Sequence, residues 1–214
     1  MGDAVFGNPI TNSTLGLPDF LDKKNIQRID RARMTLNMKN AEEKNAKALQ
    51  YLEKLKEQSE VGLGTLCLLY NATGDAISYV THKNWHGRIG ASPYPMQIAN
   101  GQWAAFMHVS KPVHSIGAVV YRGKDPQGVD CDWMVSWDNP NDKNKWNTQA
   151  YSEIREKNHF SNCDWQVVYD KMQVSGVYHD GVEDKNNWDR CFLSACIGNH
   201  KFPIFVAVFT LQDV

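Results

Sequence analysis

The sequence lacks the features that send a chain out of the cell or into a membrane. Its first twenty residues contain neither a basic leader nor the continuous apolar stretch of a secretory signal, and nowhere do eighteen apolar residues follow one another. Gly2 could accept a myristoyl group, but position 6, where an N-myristoylation signal carries Ser or Thr, is occupied by Phe6. We therefore expect a cytoplasmic protein without a spanning segment or a lipid anchor.

An excess of either charge is also missing. The chain has 23 basic and 24 acidic residues among 214, which gives a formal net charge of -1. This balance leaves no general basic surface for nucleic-acid phosphates or anionic lipid, so we expect no nucleic-acid partner, and any membrane affinity must be local. The cysteines are odd in number and show no C-x-x-C spacing, which is typical of reduced thiols: Cys67, Cys131, Cys163, Cys191 and Cys196.

The common catalytic motifs are absent. No H-E-x-x-H, G-x-S-x-G, G-x-x-x-x-G-K-[ST] or G-x-G-x-x-G segment occurs, so nothing indicates a nucleotide cofactor or an activated nucleophile. Two alternatives stay open. His108 and His114 flank a predicted hairpin and could face each other, with Asp130 or Asp132 as a third metal ligand. Acidic residues near strand ends leave glycosidase chemistry open. We expect no catalytic residue and no cofactor.

The sequence changes its period near residue 62. Residues 1–21 mix Gly and Pro with Asn, Ser and Thr, and we predict a mobile arm. Residues 22–61, starting at the candidate N-cap Asp22, carry apolar residues at helical spacing and are predicted as a broken helix or a short helical pair. Because the apolar stripe has no Trp or Phe and the polar face mixes both charges, we expect packing on the domain or oligomerisation.

Residues 62–214 contain many short runs rich in β-branched and aromatic residues. Turns rich in Gly, Pro, Asn and Asp separate them, and 71–75 has hairpin-turn chemistry. Since no helical pattern intervenes, these runs predict a mainly β domain, an antiparallel β-sandwich preceded by N-terminal helices. The predicted strands are 65–70, 76–81, 102–109, 116–122, 133–137, 165–169, 191–197 and 204–211.

Seven tryptophans are more than a core of this size readily absorbs, because a buried indole N–H needs a partner. Trp85 and Trp146 lie in polar, loop-like sequence, where an indole could stack on a sugar ring, a choline group or a partner chain, or could cap the end of the sandwich. Trp137 stands at a strand end, and Tyr94 lies between two prolines that would fix its position. The predicted ligand site consists of Trp85, His86, Tyr94, Trp137, Asp138, Asp142 and Trp146.

Seven ordered segments carry a family resemblance: YNATGD (70–75), NWHG (84–87), PYP (93–95), NGQW (100–103), GAVVYR (117–122), CDW (131–133) and YSEIR (151–155). Over most of 64–170 the chain resembles the plant 23 kDa jasmonate-induced proteins. The resemblance implies a plant protein of stress or wound responses and supplies no mechanism.

A more distant resemblance is to the β-sandwiches of the actinoporins and fungal fruit-body lectins. Residues 136–147 fall where actinoporins carry their Tyr- and Trp-rich phosphocholine-binding loop. Trp137 and Trp146 are present, but Asp138, Asn139 and Asp142 stand where tyrosines would be expected, and the basic, aromatic interfacial cluster is missing. The resemblance therefore supports the fold more than sphingolipid recognition or pore formation.

These observations predict a non-enzymatic plant stress or defence protein that binds a carbohydrate or lipid head group through loop aromatics. Three alternatives remain open at the level of sequence. One is a membrane-active, actinoporin-like protein whose helices at 22–57 detach and insert. The others are an enzyme or metal protein built on the histidines and a storage or structural product.

Overall fold

The computed structural model describes residues 4–16, 25–59, 62–111, 113–175, 181–188 and 190–214, with only the backbone over 181–187. The helices are α1 (Asn12–Leu15), α2 (Arg28–Asn37), α3 (Lys44–Glu57), α4 (His159–Asn162) and α5 (Trp165–Gln173), with a 3-10 turn at Ala41–Glu43. The strands are β1 (Val5–Phe6), β2 (Leu63–Ala72), β3 (Ile77–His86), β4 (Arg88–Ile89), β5 (Gln97–Ile98), β6 (Trp103–Ser110), β7 (His114–Lys124), β8 (Asp130–Pro140), β9 (Gln149–Glu156), β10 (Gly181–Trp188), β11 (Cys191–Gly198) and β12 (Ile204–Leu211).

The strands form two packed sheets, which confirms the predicted sandwich. Sheet I has the order β1-β6-β2-β12-β11-β10, with β4 also paired to β6, and sheet II has the order β5-β3-β7-β8-β9. All pairs are antiparallel except β12 with β2, which run parallel with Ile204 opposite Leu66. This exception to the antiparallel prediction arises because the last hairpin of the chain places its final strand between β2 and β11.

Strand register fixes which loops share an end of the sandwich. Leu63 pairs with Ser110, Arg88 with Val109, and His114 with Pro140, so these strand ends meet. We call this the His114 end: it carries the loops β3–β4, β6–β7, β8–β9 and β11–β12 and the last turn of α5. The opposite Arg28 end carries the β2–β3 and β7–β8 turns and the start of α2.

The core between the sheets follows the period of two along each strand. On β8, Cys131, Trp133, Val135 and Trp137 point inward and are fully buried. The alternate residues point to the outer face of sheet II, where Met134 packs with residues of α4 and α5. This alternation decides on which side Trp137 and its neighbour Asp138 lie.

Helices α2 and α3 cover the outer face of sheet I, which is the first of the two arrangements expected for this segment, packing on the domain. Ala48, Leu52 and Leu55 of α3 pack against β2 and β6. Lys44 is buried at the start of α3, and its Nζ donates to the Tyr70 hydroxyl at 3.1 Å and to the Gly101 carbonyl at 3.0 Å. The helical layer is thus held by polar contacts as well as by apolar burial. The proposed N-cap Asp22 lies outside the described residues.

The structure corrects the predicted mobile arm over residues 4–16. These residues form an edge strand on β6 and one helical turn. The apolar side chains explain the difference, because Phe6 packs on Tyr51 with ring centroids 5.4 Å apart, and Ile10 and Leu15 are buried. The rest of the predicted arm lies outside the described residues.

The predicted strand at 165–169 is wrong, because these residues begin helix α5. Asp164 caps the helix, its side chain accepting from the Gln166 amide at 2.9 Å. Trp165, Val168 and Met172 recur at helical spacing, and this face packs on the outside of sheet II. Strands β9 and β10 were not predicted.

Among the helices described, none combines the length and apolar character required to cross a membrane.

Candidate functional site

A paired imidazole and carboxylate form the polar centre of the His114 end. Both lie on the outer face of sheet II, where β7 and β8 bring His114 Nδ1 within 2.9 Å of Asp138 Oδ1. Gln173, in the last turn of α5, donates from Nε2 to Asp138 Oδ2 at 3.0 Å. The Asp138 carboxylate is nearly fully buried and acts only as an acceptor, so the ring proton of His114 lies on Nδ1. The other ring nitrogen, Nε2, makes no hydrogen bond to Asp138.

Aromatic rings surround this centre. The Trp146 ring meets the edge of the His114 ring with centroids 6.0 Å apart, and the exposed His86 ring lies 6.1 Å from His114. Trp146 is 50% exposed, and the ammonium of Lys145 lies 5.6 Å from its ring centre. Half of the Trp146 surface therefore faces solvent, beside the Lys145 ammonium over its ring and the His114 imidazole.

The loop that carries Trp146 is shaped by the exposed Asp142. Its carboxylate accepts from the Asn144 amide at 3.1 Å, and its carbonyl accepts from the amides of Lys145 and Trp146. Local side-chain-to-backbone bonds of this kind are typical of Asx turns. Asp142 thus orients the Trp146 loop and does not itself approach the His114–Asp138 pair.

Asn139 ties this loop to both sheets. Its amide nitrogen donates to the Gly64 carbonyl at 2.9 Å, and its Oδ1 accepts from Lys143 Nζ. Partial burial lowers the pKa of Lys143 to about 8, although the nearby Asp138 opposes the shift. Lys143 therefore stabilises the loop through its bond to Asn139, whereas Lys145 is exposed at the surface.

A second aromatic group adjoins the centre along the outer face of sheet II. Trp85, half-buried on β3, contacts Trp165 edge-on at 5.9 Å and Tyr169 at 5.6 Å between ring centroids. Burial raises the pKa of Tyr169, and the negative charge of Asp138 raises it further. The two aromatic groups are thus neighbours across Asp138.

Large apolar side chains stand exposed around the polar centre. They are Val113 at 58%, Trp146 at 50% and Val174 at 83% exposed. Val113 directly precedes His114 in the β6–β7 loop, and Val174 directly follows Gln173 at the C-cap of α5. Trp146 lies in the β8–β9 loop. A polar centre beside exposed apolar side chains distinguishes this end of the molecule.

The structure brings five of the seven predicted site residues to this region: Trp85, His86, Asp138, Asp142 and Trp146. Trp137 and Tyr94 are placed elsewhere. Trp137 is fully buried in the core, because its position on β8 points inward. Tyr94 is 8% exposed and packs on Tyr79 and Phe106, since the loop around it folds back and the Tyr121 hydroxyl donates to the Pro95 carbonyl.

The predicted facing of His108 and His114 does not occur. His108 points into the core, where Nδ1 lies 2.8 Å from Ser115 Oγ and Nε2 lies 3.2 Å from Asn84 Oδ1. Asp132, one suggested third ligand, instead binds Arg122 with Nε to Oδ1 at 2.7 Å. Within the described residues, no three His, Cys, Asp or Glu side chains are grouped as metal ligands.

Sequence reasoning missed Val113, Val174 and Gln173, and it weighed His114 only as a metal ligand. One signal was readable: His114 and Asp138 flank strands of one hairpin, so a short loop would place them at the same end. Gln173 could not be found, because its segment was not recognised as a helix.

The chain matches the family model described as Nakanori-like protein over residues 6–212. It is 38% identical over 183 residues to the 23 kDa jasmonate-induced protein of Hordeum vulgare, which covers 83% of this chain and 85% of the relative. It is 26% identical over 108 residues to a jasmonate-induced protein homolog of Atriplex canescens, which covers 50% of this chain and 58% of that protein. The resemblance inferred from the motifs is thereby confirmed.

Among solved structures, the fold is similar to that of the lipid binding protein Nakanori. The TM-score is 0.83 at 26% sequence identity, and the match covers 96% of this chain and 98% of the other. Since the family model spans nearly the whole sandwich, the chain belongs to the Nakanori-like protein family.

Proposed function

We propose that this protein binds a lipid head group at the His114 end without catalysing a reaction. The observation that carries the proposal is the pair of the half-buried His114 and the buried Asp138, with the exposed Val113, Trp146 and Val174 beside it. A lipid head group presents polar atoms next to the start of its acyl chains. The site likewise has a polar pair, His114 and Asp138, with exposed apolar side chains next to it.

The polar centre suits a phosphate-containing head group. With Nδ1 of His114 held by Asp138, Nε2 is the ring nitrogen left for a ligand. A phosphate oxygen could accept from it when the ring is protonated, and Lys145 would add charge beside it. The exposed part of the Trp146 indole would suit the ammonium of choline or ethanolamine through a cation–π contact.

The apolar tips favour a lipid over a free sugar. Aromatic and branched apolar side chains at the rim of a site settle at the boundary between head groups and acyl chains. A sugar ring would leave Val113 and Val174 facing water. Nakanori, a structurally similar family member, is named as a lipid binding protein, which supports the same ligand class here.

Detachment of the N-terminal helices finds no support in their packing. The buried Lys44 binds Tyr70 and Gly101, and Trp103 Nε1 donates to the Lys39 carbonyl at 3.0 Å. Release of the helices would expose these polar groups together with the outer apolar face of sheet I. We therefore propose recognition of a membrane surface by the loops rather than insertion of the helices.

The names of the barley and Atriplex relatives support a setting in the plant stress response. We propose that the protein accumulates under stress and acts by occupying a lipid surface, not by turnover of a substrate.

Two exposed valines at opposite ends of the molecule test the proposal. Val113 is 58% exposed at the His114 end, and Val129 is 59% exposed at the Arg28 end. We expect Val113→Ser to weaken binding to phospholipid vesicles about fivefold, because roughly 1 kcal/mol of apolar burial is lost, whereas Val129→Ser binds like the wild type.

Co-sedimentation with vesicles that contain phosphatidylcholine, phosphatidylethanolamine, phosphatidylserine and sphingomyelin measures both variants. Equal loss in the two valine variants, or no binding of the wild type to any vesicle, would refute the assignment of the site.

A further inference from the structure

The loops of the His114 end carry a charge that the composition of the chain conceals. The loops β3–β4, β6–β7, β8–β9 and β11–β12, together with β4, contain five basic residues: Arg88, Lys111, Lys143, Lys145 and Lys201. They contain one acidic residue, Asp142. The whole chain has a net charge of -1, so these loops carry a local excess of positive charge.

Contacts between the loops place these cations on one surface. Arg88 and Lys111 line the same pocket beside β6. Asn139 accepts from Lys143 and donates to the backbone carbonyl of Lys201 at 3.3 Å, which joins the β8–β9 and β11–β12 loops. The Asn141 amide donates to the Val113 carbonyl at 2.9 Å, which joins the β6–β7 loop to them.

Four of these cations are exposed and not neutralised. Arg88, Lys111, Lys145 and Lys201 form no ion pair with any acidic group of the described ranges. The Arg28 end differs, because its cations are paired with carboxylates. Arg31 binds Asp75 at 2.7 Å, and Lys157 binds Asp130 at 2.7 Å.

We propose that the His114 end docks on the surface of an anionic phospholipid bilayer. The inference rests on the proposed function and names the partner of that site. A negatively charged leaflet attracts basic groups within about 8 Å of its surface, the screening length in physiological salt. Lys111 and Lys145 lie within two residues of the exposed Val113 and Trp146, so the charge of this end would bring the protein to the bilayer in the orientation that inserts these side chains. Once the protein is docked on the bilayer, His114 would bind one lipid head group.

A matched pair of double variants tests the docking. Lys111→Gln with Lys201→Gln removes two cations from the His114 end and touches neither Trp146 nor the His114–Asp138 pair. Lys47→Gln with Lys157→Gln removes the same charge from exposed positions outside the loops of that end. Each cation near an anionic surface contributes about a fivefold gain in affinity. We expect the first variant to bind phosphatidylcholine vesicles containing phosphatidylserine about 25-fold more weakly than the wild type, and the second variant to bind within about twofold of it.

Vesicles of phosphatidylcholine alone separate this inference from the proposed function. We expect the Lys111 and Lys201 variant to match the wild type on them, and wild-type binding to rise when phosphatidylserine is added and to fall with added salt. If the wild type binds both vesicles equally and neither variant matters, the anionic docking is wrong while head-group binding stands. If the wild type binds neither vesicle, both proposals are wrong.

Discussion

Replacing Trp137 by alanine should lower the free energy of unfolding by about 3–5 kcal/mol, the usual cost of deleting a buried aromatic ring. The ring is fully buried and contacts Phe106, His108 and Phe205 between the sheets. Gly117 leaves the space for it, since a Cβ there would lie 2.8 Å from Trp137 Cζ2. Urea denaturation followed by circular dichroism measures the effect.

Trp146→Ala is the matched change at the surface and should show the opposite signature. Because half of the Trp146 side chain faces solvent, we expect its loss to change the free energy of unfolding by less than about 1 kcal/mol. Binding to phospholipid vesicles should weaken by about 1–3 kcal/mol, as for a stacked aromatic at the centre of an interface. A Trp137 variant of unchanged stability, or a Trp146 variant of unchanged affinity, would overturn the division of these two residues between core and site.

Acidification from pH 7 to pH 5 should remove about 2 kcal/mol of stability through His108 alone. Burial lowers the pKa of His108 to about 3 from 6.5, with a smaller effect of His82. Between these two values the unfolded chain binds the proton and the folded chain does not, so stability falls as the pH falls below 6.5. The loss would continue down to about pH 3, where the folded state also takes up the proton.

The hydrogen bonds around His108 fix the tautomer of its neutral ring. Asn84 Oδ1 can only accept, so Nε2 carries the proton and Nδ1 accepts from the Ser115 hydroxyl. Ser115 in turn lies 2.8 Å from Thr65 Oγ1, which links the two sheets through the core. A second proton on the ring would bind to Nδ1 and point at the Ser115 hydroxyl. Ser115 would then have to accept a hydrogen bond from Nδ1 instead of donating one to it.

Urea unfolding of His108→Gln at pH 7 and pH 5 isolates this contribution. The glutamine variant should lose about 2 kcal/mol less than the wild type between the two pH values. His200→Gln, a change in an exposed loop, should keep the full dependence. Identical pH dependence in wild type and His108→Gln would show that another group is responsible.

Local patterns in the sequence predicted most of the fold. The run rich in apolar and aromatic residues in β8 and the helical spacing in α3 are short-range patterns, and a short window is enough to detect them. The run at 165–169 misled because five residues rich in β-branched and aromatic side chains fit a strand as well as one turn of a helix. The N-cap Asp164 and Met172 at the next turn were the evidence for the helix.

The tryptophan argument predicted Trp146 at the surface, where the structure has it, and failed for Trp137 for a physical reason. It assumed that a buried indole N–H must find a partner, yet Nε1 of both Trp133 and Trp137 is buried without a hydrogen-bond partner within the described structure. Trp103 does satisfy its N–H, through the Lys39 carbonyl. The alternation along β8, which points Cys131, Trp133 and Val135 into the core, indicates the burial of Trp137 more reliably.

The charge of the His114 end could not be predicted from composition. Its five cations come from four segments between residues 88 and 201, and only the strand register brings these segments to one end. Near-equal totals of basic and acidic residues therefore gave no sign of a basic surface. Likewise, Gln173 reaches Asp138 only because α5 packs on sheet II.

Hydrogen–deuterium exchange of the wild type, with and without phospholipid vesicles that contain phosphatidylserine, tests the central claim most directly. We expect vesicles to slow exchange in the β6–β7 and β8–β9 loops and at the end of α5, and to leave the β7–β8 turn and α2 unchanged. Slowed exchange confined to the Arg28 end, or faster exchange across α2 and α3, would contradict head-group binding at the His114 end.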